Sequence, residues 1–140
     1  MVILVDSSVW IDFLRSKSSA HEAHLRDLLA VPDVVRVPGL VVQEVLQGIR
    51  EEAMFEVVRA RLCNFPIVHA DTETYVMAAR MYQTLARRGI AIPPGDITIA
   101  ALSIQYQWPL YTLDHRHFVR IAHHSPLRLY EPPSLHSDDQ

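Results

Sequence analysis

Three aspartates in this sequence stand where an apolar run or a tight break gives way to a helix. Asp6 comes directly after the aliphatic run Val2–Val5, Asp114 ends a second apolar run, and Asp96 follows a proline-glycine break. Taken one at a time, each has a simple explanation, because an aspartate at such a junction commonly caps the helix and stabilises it by ~1 kcal/mol. Taken together, they predict a cluster of carboxylates.

The chemistry open to such a cluster is the binding of a hard cation. In a parallel α/β sheet, the carboxyl ends of the strands and the starts of the following helices lie at one edge. Carboxylates brought within a few ångströms repel one another and need protons or a cation to coexist. Mg²⁺ and Mn²⁺ prefer oxygen ligands, and Mg²⁺ usually keeps several waters beside one or two carboxylates. The three aspartates therefore predict a divalent-metal site at the sheet edge.

Glu44 is a fourth acid of interest, on a helix predicted at about residues 40–50. An apolar stripe with i, i+3, i+4, i+7 spacing begins at Val42, and Glu44 lies on the opposite face of that helix. Spacing alone predicts a solvated glutamate here. Gly48, one turn later, would leave the surface beside Glu44 open.

Short strands and helices alternate along the chain and must position these acids. Strands are predicted at residues 2–5, 34–37, 66–68, 110–113 and 127–130. Helices are predicted at residues 8–15, 18–30, 40–50, 51–63, 71–88, 96–107 and 117–122. The helix at 96–107 is apolar almost all round and should be deeply buried. This alternation predicts one three-layer α/β/α domain with a mainly parallel central sheet over residues 1–130, and a loose tail at 131–140.

Composition sets broad limits on function. The chain has 140 residues, 49% of them apolar, which fits one ordinary globular domain. Its net charge of −3 does not mark it as a nucleic-acid binder, although acids gathered at one metal site would hide local basic patches. The single cysteine, Cys63, fits a reducing compartment. No membrane span or signal peptide is evident, so we expect a cytoplasmic protein.

The motifs together resemble those of a PIN-domain ribonuclease, and within that superfamily a VapC-type toxin of a bacterial toxin–antitoxin pair. The resemblance covers about residues 2–130 and is carried by Val5–Asp12, Glu44–Arg50, Pro94–Ala101, Tyr111–Asp114 and the pair His117-Phe118. Any single motif is weak, but all of them in the right order and spacing are specific.

The resemblance implies a Mg²⁺- or Mn²⁺-dependent endoribonuclease that leaves 3′-hydroxyl and 5′-phosphate ends. The family's acids correspond to Asp6, Glu44, Asp96 and Asp114, and its hydroxyl beside the site corresponds to Ser8. By this resemblance the three aspartates hold the metal, Glu44 binds it or orients the attacking water, and Ser8 holds a ligand in place. One or two metal ions are both compatible with the sequence.

The resemblance also implies partners and a substrate surface. Relatives are usually homodimers neutralised by a small VapB-type antitoxin, whose extended segment covers the groove and can present a basic side chain to the acids. Five arginines near the expected mouth are candidates for phosphate contacts, with solvated charge at helix ends as the alternative: Arg15, Arg50, Arg87, Arg88 and Arg116.

This chain departs from the family pattern at two points. The family often has threonine at the position of Ser7. Relatives sometimes carry a further acid just after the last one, whereas here His115 and Arg116 occupy that loop. A fifth acidic ligand is therefore not expected.

Other functions fit less well. The main rival is a non-catalytic PIN-like module that binds RNA or protein, which degenerate acids would signal, but all four acids are intact. A phosphatase that begins with a strand-end aspartate needs a second acid two residues on, where this chain has Ser8. His21 and His24 are spaced i, i+3, unlike the i, i+4 of a zinc protease, and favour a surface helix. The later histidines, His117 among them, lack an accompanying cysteine and favour a solvated loop over a zinc site.

Overall fold

A parallel four-stranded sheet forms the centre of the fold. The computed structural model describes residues 1–15 and 19–133 of the chain. The strands are β1 (Ile3–Val5), β2 (Val35–Pro38), β3 (Ile67–Val68) and β4 (Leu110–Tyr111), in the spatial order β3-β2-β1-β4. Each neighbouring pair is parallel, which confirms the predicted mainly parallel sheet.

The strand β1 lies inside this sheet, paired with β2 on one side and β4 on the other. Its residues, Ile3, Leu4 and Val5, are all 0% exposed. Because successive strand side chains point to opposite faces, this burial requires cover on both sides of the sheet. The aliphatic run at the start of the chain therefore adopts its predicted place in a three-layer α/β/α domain.

Seven helices accompany the sheet within the described residues. They are α1 (Ser7–Leu14), α2 (Ala20–Leu29), α3 (Gly39–Leu46), α4 (Glu52–Leu62), α5 (Thr72–Arg87), α6 (Pro94–Tyr106) and α7 (His115–His123). The helix α6 is buried over much of its surface, as its apolar sequence predicts. It packs along α5 and against α7, while α1 packs against α2 and α3.

Two predicted elements differ from the structure in ways that affect the site. The helix predicted to open at Asp96 begins at Pro94, because proline is favoured at the first helical position, where no N–H is needed. Asp96 therefore lies in the first turn and is not the cap. The helix predicted from 117 begins at His115, with Asp114 as its cap.

The predicted last strand at 127–130 is reduced to a single bridge between Leu110 and Leu129. The Leu110 N–H donates to the Arg128 carbonyl at 2.9 Å, and the Tyr130 N–H donates to the Leu110 carbonyl at 2.8 Å. Because β4 is only two residues long, this segment has little strand to pair with. The helix predicted at 40–50 is also shorter and ends at Leu46.

Part of the predicted tail and the start of the second predicted helix cannot be compared with the structure. Residues 134–140 of the tail and residues 16–18 lie outside the described residues. Among the described residues, no helix combines the length and the apolar character that a bilayer crossing requires.

Candidate metal and catalytic site

Asp6 leaves the end of β1 and is 4% exposed. Its backbone occupies the N-cap position of α1, but its side chain makes no capping hydrogen bond to that helix. Instead, Asp6 Oδ2 accepts hydrogen bonds from Ser8 Oγ at 3.0 Å and from Thr112 Oγ1 at 2.8 Å. A cap is therefore not the reason for an acid at this position.

The two hydroxyls that bond to Asp6 also bind the backbone that follows β4. The Leu113 N–H donates to Ser8 Oγ and the Asp114 N–H donates to Thr112 Oγ1, each at 2.9 Å. Each hydroxyl thus donates to a buried carboxylate and accepts from a backbone amide. Thr112, itself 4% exposed, was not among the predicted site residues. Its position two residues before a strand-end acid was the available signal.

Asp96 and Asp114 meet at the side chain of His117. The His117 Nδ1 lies 2.8 Å from Asp96 Oδ2 and 3.2 Å from Asp114 Oδ2. Asp114 also caps α7, because its Oδ1 accepts from the His117 backbone N–H at 3.4 Å. One potential ligand atom from each of these three residues lies within 4.8 Å of the others. The prediction that His117 belongs to a solvated loop is therefore wrong.

Glu44 faces the carboxylates, so the solvated glutamate predicted from spacing is wrong as well. Burial raises its pKa, and the charges of Asp6 and Asp96 raise it further, while the Ser7 hydroxyl partly opposes the rise. Its Oε1 is buried and has no hydrogen-bond partner among the described residues. The start of α6 approaches α3 at Glu44, although Gln43 and Gln47 beside it stay exposed: a Cβ on Gly95 would lie 3.8 Å from Glu44 Oε2.

The pKa of Asp96 is affected by two of the other acids. Burial is the main cause that raises the pKa of Asp96, and the charges of Asp6 and Asp114 add to it. The hydrogen bond and charge of His117 act in the opposite direction. The charges of Asp6 and Asp96 also raise the pKa of Glu44. The four carboxylates therefore influence one another electrostatically. The structure groups Asp96 and Asp114 with His117, whereas Asp6 and Glu44 lie outside that group but near enough for their charges to act on Asp96 or on each other.

The donor set of this cluster fits Mg²⁺ or Mn²⁺. Both ions take carboxylate oxygens, and Mn²⁺ also accepts imidazole nitrogen. A buried polar atom without a partner is costly, at ~1–3 kcal/mol, so Glu44 Oε1 needs a proton, a water or a cation beside it. A divalent cation held by Asp96, Asp114 and His117 would offset the excess negative charge of the nearby carboxylates.

The five predicted phosphate contacts are all exposed, but only Arg15 and Arg116 are placed beside residues of the site. Arg15 ends α1 and lines a groove of about 290 Å³ with Glu44 and Met54. Arg116 lies in the first turn of α7 beside His117. Arg50 lies in the segment that follows α3, and Arg87 is the last residue of α5. The fifth, Arg88, lies near His124, at the opposite end of α7 from Asp114. Their roles in binding RNA stay predictions.

The helix predicted to place His21 and His24 at the surface instead turns both toward tyrosines. His21 Nδ1 and the Tyr111 hydroxyl lie 2.7 Å apart, as do His24 Nε2 and the Tyr130 hydroxyl. Burial lowers the pKa of His24 and raises the pKa of Tyr111. These contacts join α2 to the end of the sheet. They account for the positions of both histidines without a metal.

Comparison with known proteins identifies the family. The PIN domain profile matches residues 3–124, and the chain belongs to the PIN-domain family. Over 129 residues it is 30% identical to Ribonuclease VapC1 of Methanocaldococcus jannaschii, covering 92% of this chain and 87% of that protein. This likeness confirms the resemblance to VapC-type proteins that the sequence motifs indicate.

Solved structures with the same fold support the assignment. DNA-bound VapBC from Salmonella typhimurium matches with a TM-score of 0.79 at 19% identity, covering 93% of this chain and 97% of that one. FitAcB from Neisseria gonorrhoeae matches with a TM-score of 0.77 at 22% identity, covering 94% and 98%. Both matches confirm the PIN-like α/β/α fold.

Proposed function

We propose that this chain is a metal-dependent endoribonuclease that acts as the toxin of a toxin–antitoxin pair. The observation that carries this proposal is the group formed by Asp96, Asp114 and His117, with Glu44 Oε1 buried and without a partner among the described residues and with the charge of Asp6 acting on both Asp96 and Glu44. The likeness to a protein named Ribonuclease VapC1 supports RNA as the substrate.

The three aspartates are the proposed metal ligands. Asp6 is fixed by two hydroxyls, Ser8 and Thr112, while Asp96 and Asp114 keep oxygens directed at a shared position near His117. A bound Mg²⁺ or Mn²⁺ supplies an acidified water and stabilises negative charge on the phosphoryl and leaving oxygens. The ion would therefore lie where the chain concentrates its negative charge.

Glu44 is the proposed proton acceptor of the reaction. Its raised pKa suits a group that takes a proton near neutral pH, because an ordinary carboxylate is a weaker base. As Glu44 accepts a proton from the attacking water, the water oxygen bonds to phosphorus and the P–O3′ bond breaks. The 3′ oxygen then takes a proton from solvent. The products are a 3′-hydroxyl and a 5′-phosphate.

The exposed arginines are the proposed contacts to the RNA backbone. Arg15 shares a groove with Glu44, and Arg116 neighbours His117, which supports contacts close to the scissile phosphate. Arg50, Arg87 and Arg88 would engage phosphates farther along the strand. Such contacts position nucleic acid without reading its sequence, and each makes binding more sensitive to salt.

A small VapB-type antitoxin is the proposed inhibitor, and a homodimer in the cytoplasm the proposed working form. The structural matches include complexes described as VapBC, which supports a protein partner of this class. The groove combines apolar residues such as Ile11 and Met54 with the carboxylate of Glu44. An extended segment with an apolar stretch and a basic side chain would complement it.

The proposal is tested by incubating the purified protein with structured RNA. We expect cleavage with Mg²⁺ or Mn²⁺, none with EDTA, and none with Asp96→Asn. The matched control is Asp27→Asn, which removes an exposed carboxylate on α2 and should leave cleavage unchanged. Binding that persists in every arm without any cleavage would show a non-catalytic PIN-like module instead.

A further inference from the structure

The position of His117 carries an inference about which metal the site prefers. Its Nδ1 lies 2.8 Å from Asp96 Oδ2 and 3.2 Å from Asp114 Oδ2. Two ligands each ~2.1 Å from one ion, at right angles, are about 3 Å apart. Each of the two carboxylate oxygens is therefore as far from Nδ1 as a neighbouring ligand on one cation would be, and the two oxygens lie within 4.8 Å of each other.

The fold holds the imidazole in this position. Asp114 caps α7 and His117 follows three residues later, a spacing that places both on one side of the first turn. The next residue, Phe118, is 0% exposed and anchors the helix in the core. The His117 side chain is 23% exposed, so its ring is largely enclosed and has little freedom to turn away.

Hydrogen bonding alone accounts poorly for this arrangement. A ring nitrogen carries at most one hydrogen, so His117 Nδ1 can donate one well-directed bond. The shorter contact to Asp96 uses that hydrogen, and the contact to Asp114 is left without one. A cation between the three atoms would satisfy both carboxylates and the nitrogen lone pair at once.

We infer that His117 Nδ1 is a direct metal ligand and makes this site prefer Mn²⁺ to Mg²⁺. Imidazole nitrogen suits transition metals, whereas Mg²⁺ strongly favours oxygen ligands and water. The three residues after Asp114 include no acid, and His117 Nδ1 lies within 4.8 Å of one oxygen each from Asp96 and Asp114. This inference rests on the proposed metal-dependent function and adds the identity of the ion.

The test measures metal binding, not turnover. Calorimetric titrations of Mn²⁺ and Mg²⁺ are compared for the wild type, His117→Gln and the control His115→Gln, an exposed neighbour on α7. We expect the wild type to bind Mn²⁺ at least about tenfold more tightly than Mg²⁺. We expect His117→Gln to weaken Mn²⁺ binding about tenfold or more, and Mg²⁺ binding less than about threefold. Equal losses for both metals, or no loss, would overturn the inference.

A spectroscopic measurement on the wild type covers the case in which His117→Gln does not fold. Electron spin-echo modulation of bound Mn²⁺ should show coupling to ¹⁴N, and its absence would also overturn the inference. The proposed function is judged separately by RNA cleavage. If Mn²⁺ binds with ¹⁴N coupling but RNA is never cut, only the nuclease proposal fails. If RNA is cut without ¹⁴N coupling, only the present inference fails.

Discussion

The carboxylate site has two halves that are built differently. In the strand half, Asp6 is 4% exposed and one of its oxygens accepts two hydroxyl hydrogen bonds. In the helix half, the side chains of Asp96 and Asp114 are 19% and 35% exposed and share one imidazole. The charges of Asp6 and Asp96 both act on Glu44, whose buried Oε1 has no hydrogen-bond partner among the described residues.

This difference separates positioning from binding. The strand half is fixed by hydroxyls that are themselves held by backbone amides, so its geometry is set before any ligand arrives. The helix half and Glu44 retain charge and hydrogen-bonding capacity that the protein does not satisfy. Buried polar groups are normally paired, so the unpaired Glu44 Oε1 beside these carboxylates indicates a ligand that completes the site.

The largest effect is expected when the strand half loses its charge but keeps its hydrogen bonds. In Asp6→Asn, the amide oxygen can still accept from Ser8 and Thr112. Cleavage should fall by about 10³-fold, since losing a metal ligand removes several kcal/mol of transition-state stabilisation. The thermal midpoint without metal should stay equal or rise, because one repelling charge is gone. Activity within tenfold of the wild type would contradict this role for Asp6.

The second largest effect is expected when Asp6 loses a positioning hydrogen bond but no acid is changed. Thr112→Val leaves Asp6 with one fewer donor and the Asp114 amide without its acceptor. Cleavage should fall about 10–100-fold. The free energy of unfolding should drop by ~1–3 kcal/mol. Urea unfolding and initial cleavage rates measure the two effects.

Two variants control for the threonine change. Thr84→Val removes a hydroxyl that bonds only to the Arg80 carbonyl on an exposed face, and should leave both quantities nearly unchanged. Thr112→Ser restores the hydroxyl and should recover most of the activity. If Thr112→Val and Thr84→Val behave alike, the hydroxyl network does not position Asp6.

A smaller effect is expected at the groove that leads to Glu44. Arg15→Ala should weaken RNA binding roughly threefold to tenfold and lower the slope of log affinity against log salt by about one. The control, Arg59→Ala, removes an arginine already paired with Glu56 on α4 and should change neither. Fluorescence anisotropy over a range of salt concentrations measures both. An unchanged salt slope in Arg15→Ala would remove this arginine from the RNA surface.

The smallest effect concerns stability without metal. The pKa of folded Glu44 is raised above its ordinary 4.5, so its contribution to stability is present below that value and is lost as pH rises through the folded pKa. Glu44→Gln does not titrate. Its thermal midpoint in EDTA should match the wild type near about pH 4 and exceed it by about 2–4 °C near about pH 7. A difference that shrinks as pH rises would contradict the raised pKa.

The sequence predicts the strand half well because local rules determine it. An aliphatic run without alternation indicates a strand buried on both faces, and the polar residue that ends it must lie at the sheet edge. That reasoning places Asp6 of the strand half at the sheet edge, and it also places Asp114 of the helix half there. The all-round apolar character of α6 likewise predicts its burial and brings Asp96 to the same edge.

The sequence predicts the orientation of Glu44 wrongly because periodicity describes only one face of a helix. The apolar stripe of α3 identifies the buried face, but the start of α6 also reaches Glu44 on the opposite side, and the small Gly95 allows its close approach to Leu40 of α3. The sequence predicts the surroundings of His117 wrongly for a different reason. Its relation to Asp114 depends on where α7 begins, and the predicted start was two residues late.

The most direct test of a shared cation at these acids is the chemistry of the cut ends. RNA is incubated with the protein and Mg²⁺ or Mn²⁺, and the new termini are characterised by ligation and phosphatase sensitivity. Attack by an activated water predicts 5′-phosphate and 3′-hydroxyl ends that disappear with EDTA and with Asp96→Asn. Ends with a 2′,3′-cyclic phosphate and a 5′-hydroxyl, formed equally well in EDTA, would contradict it.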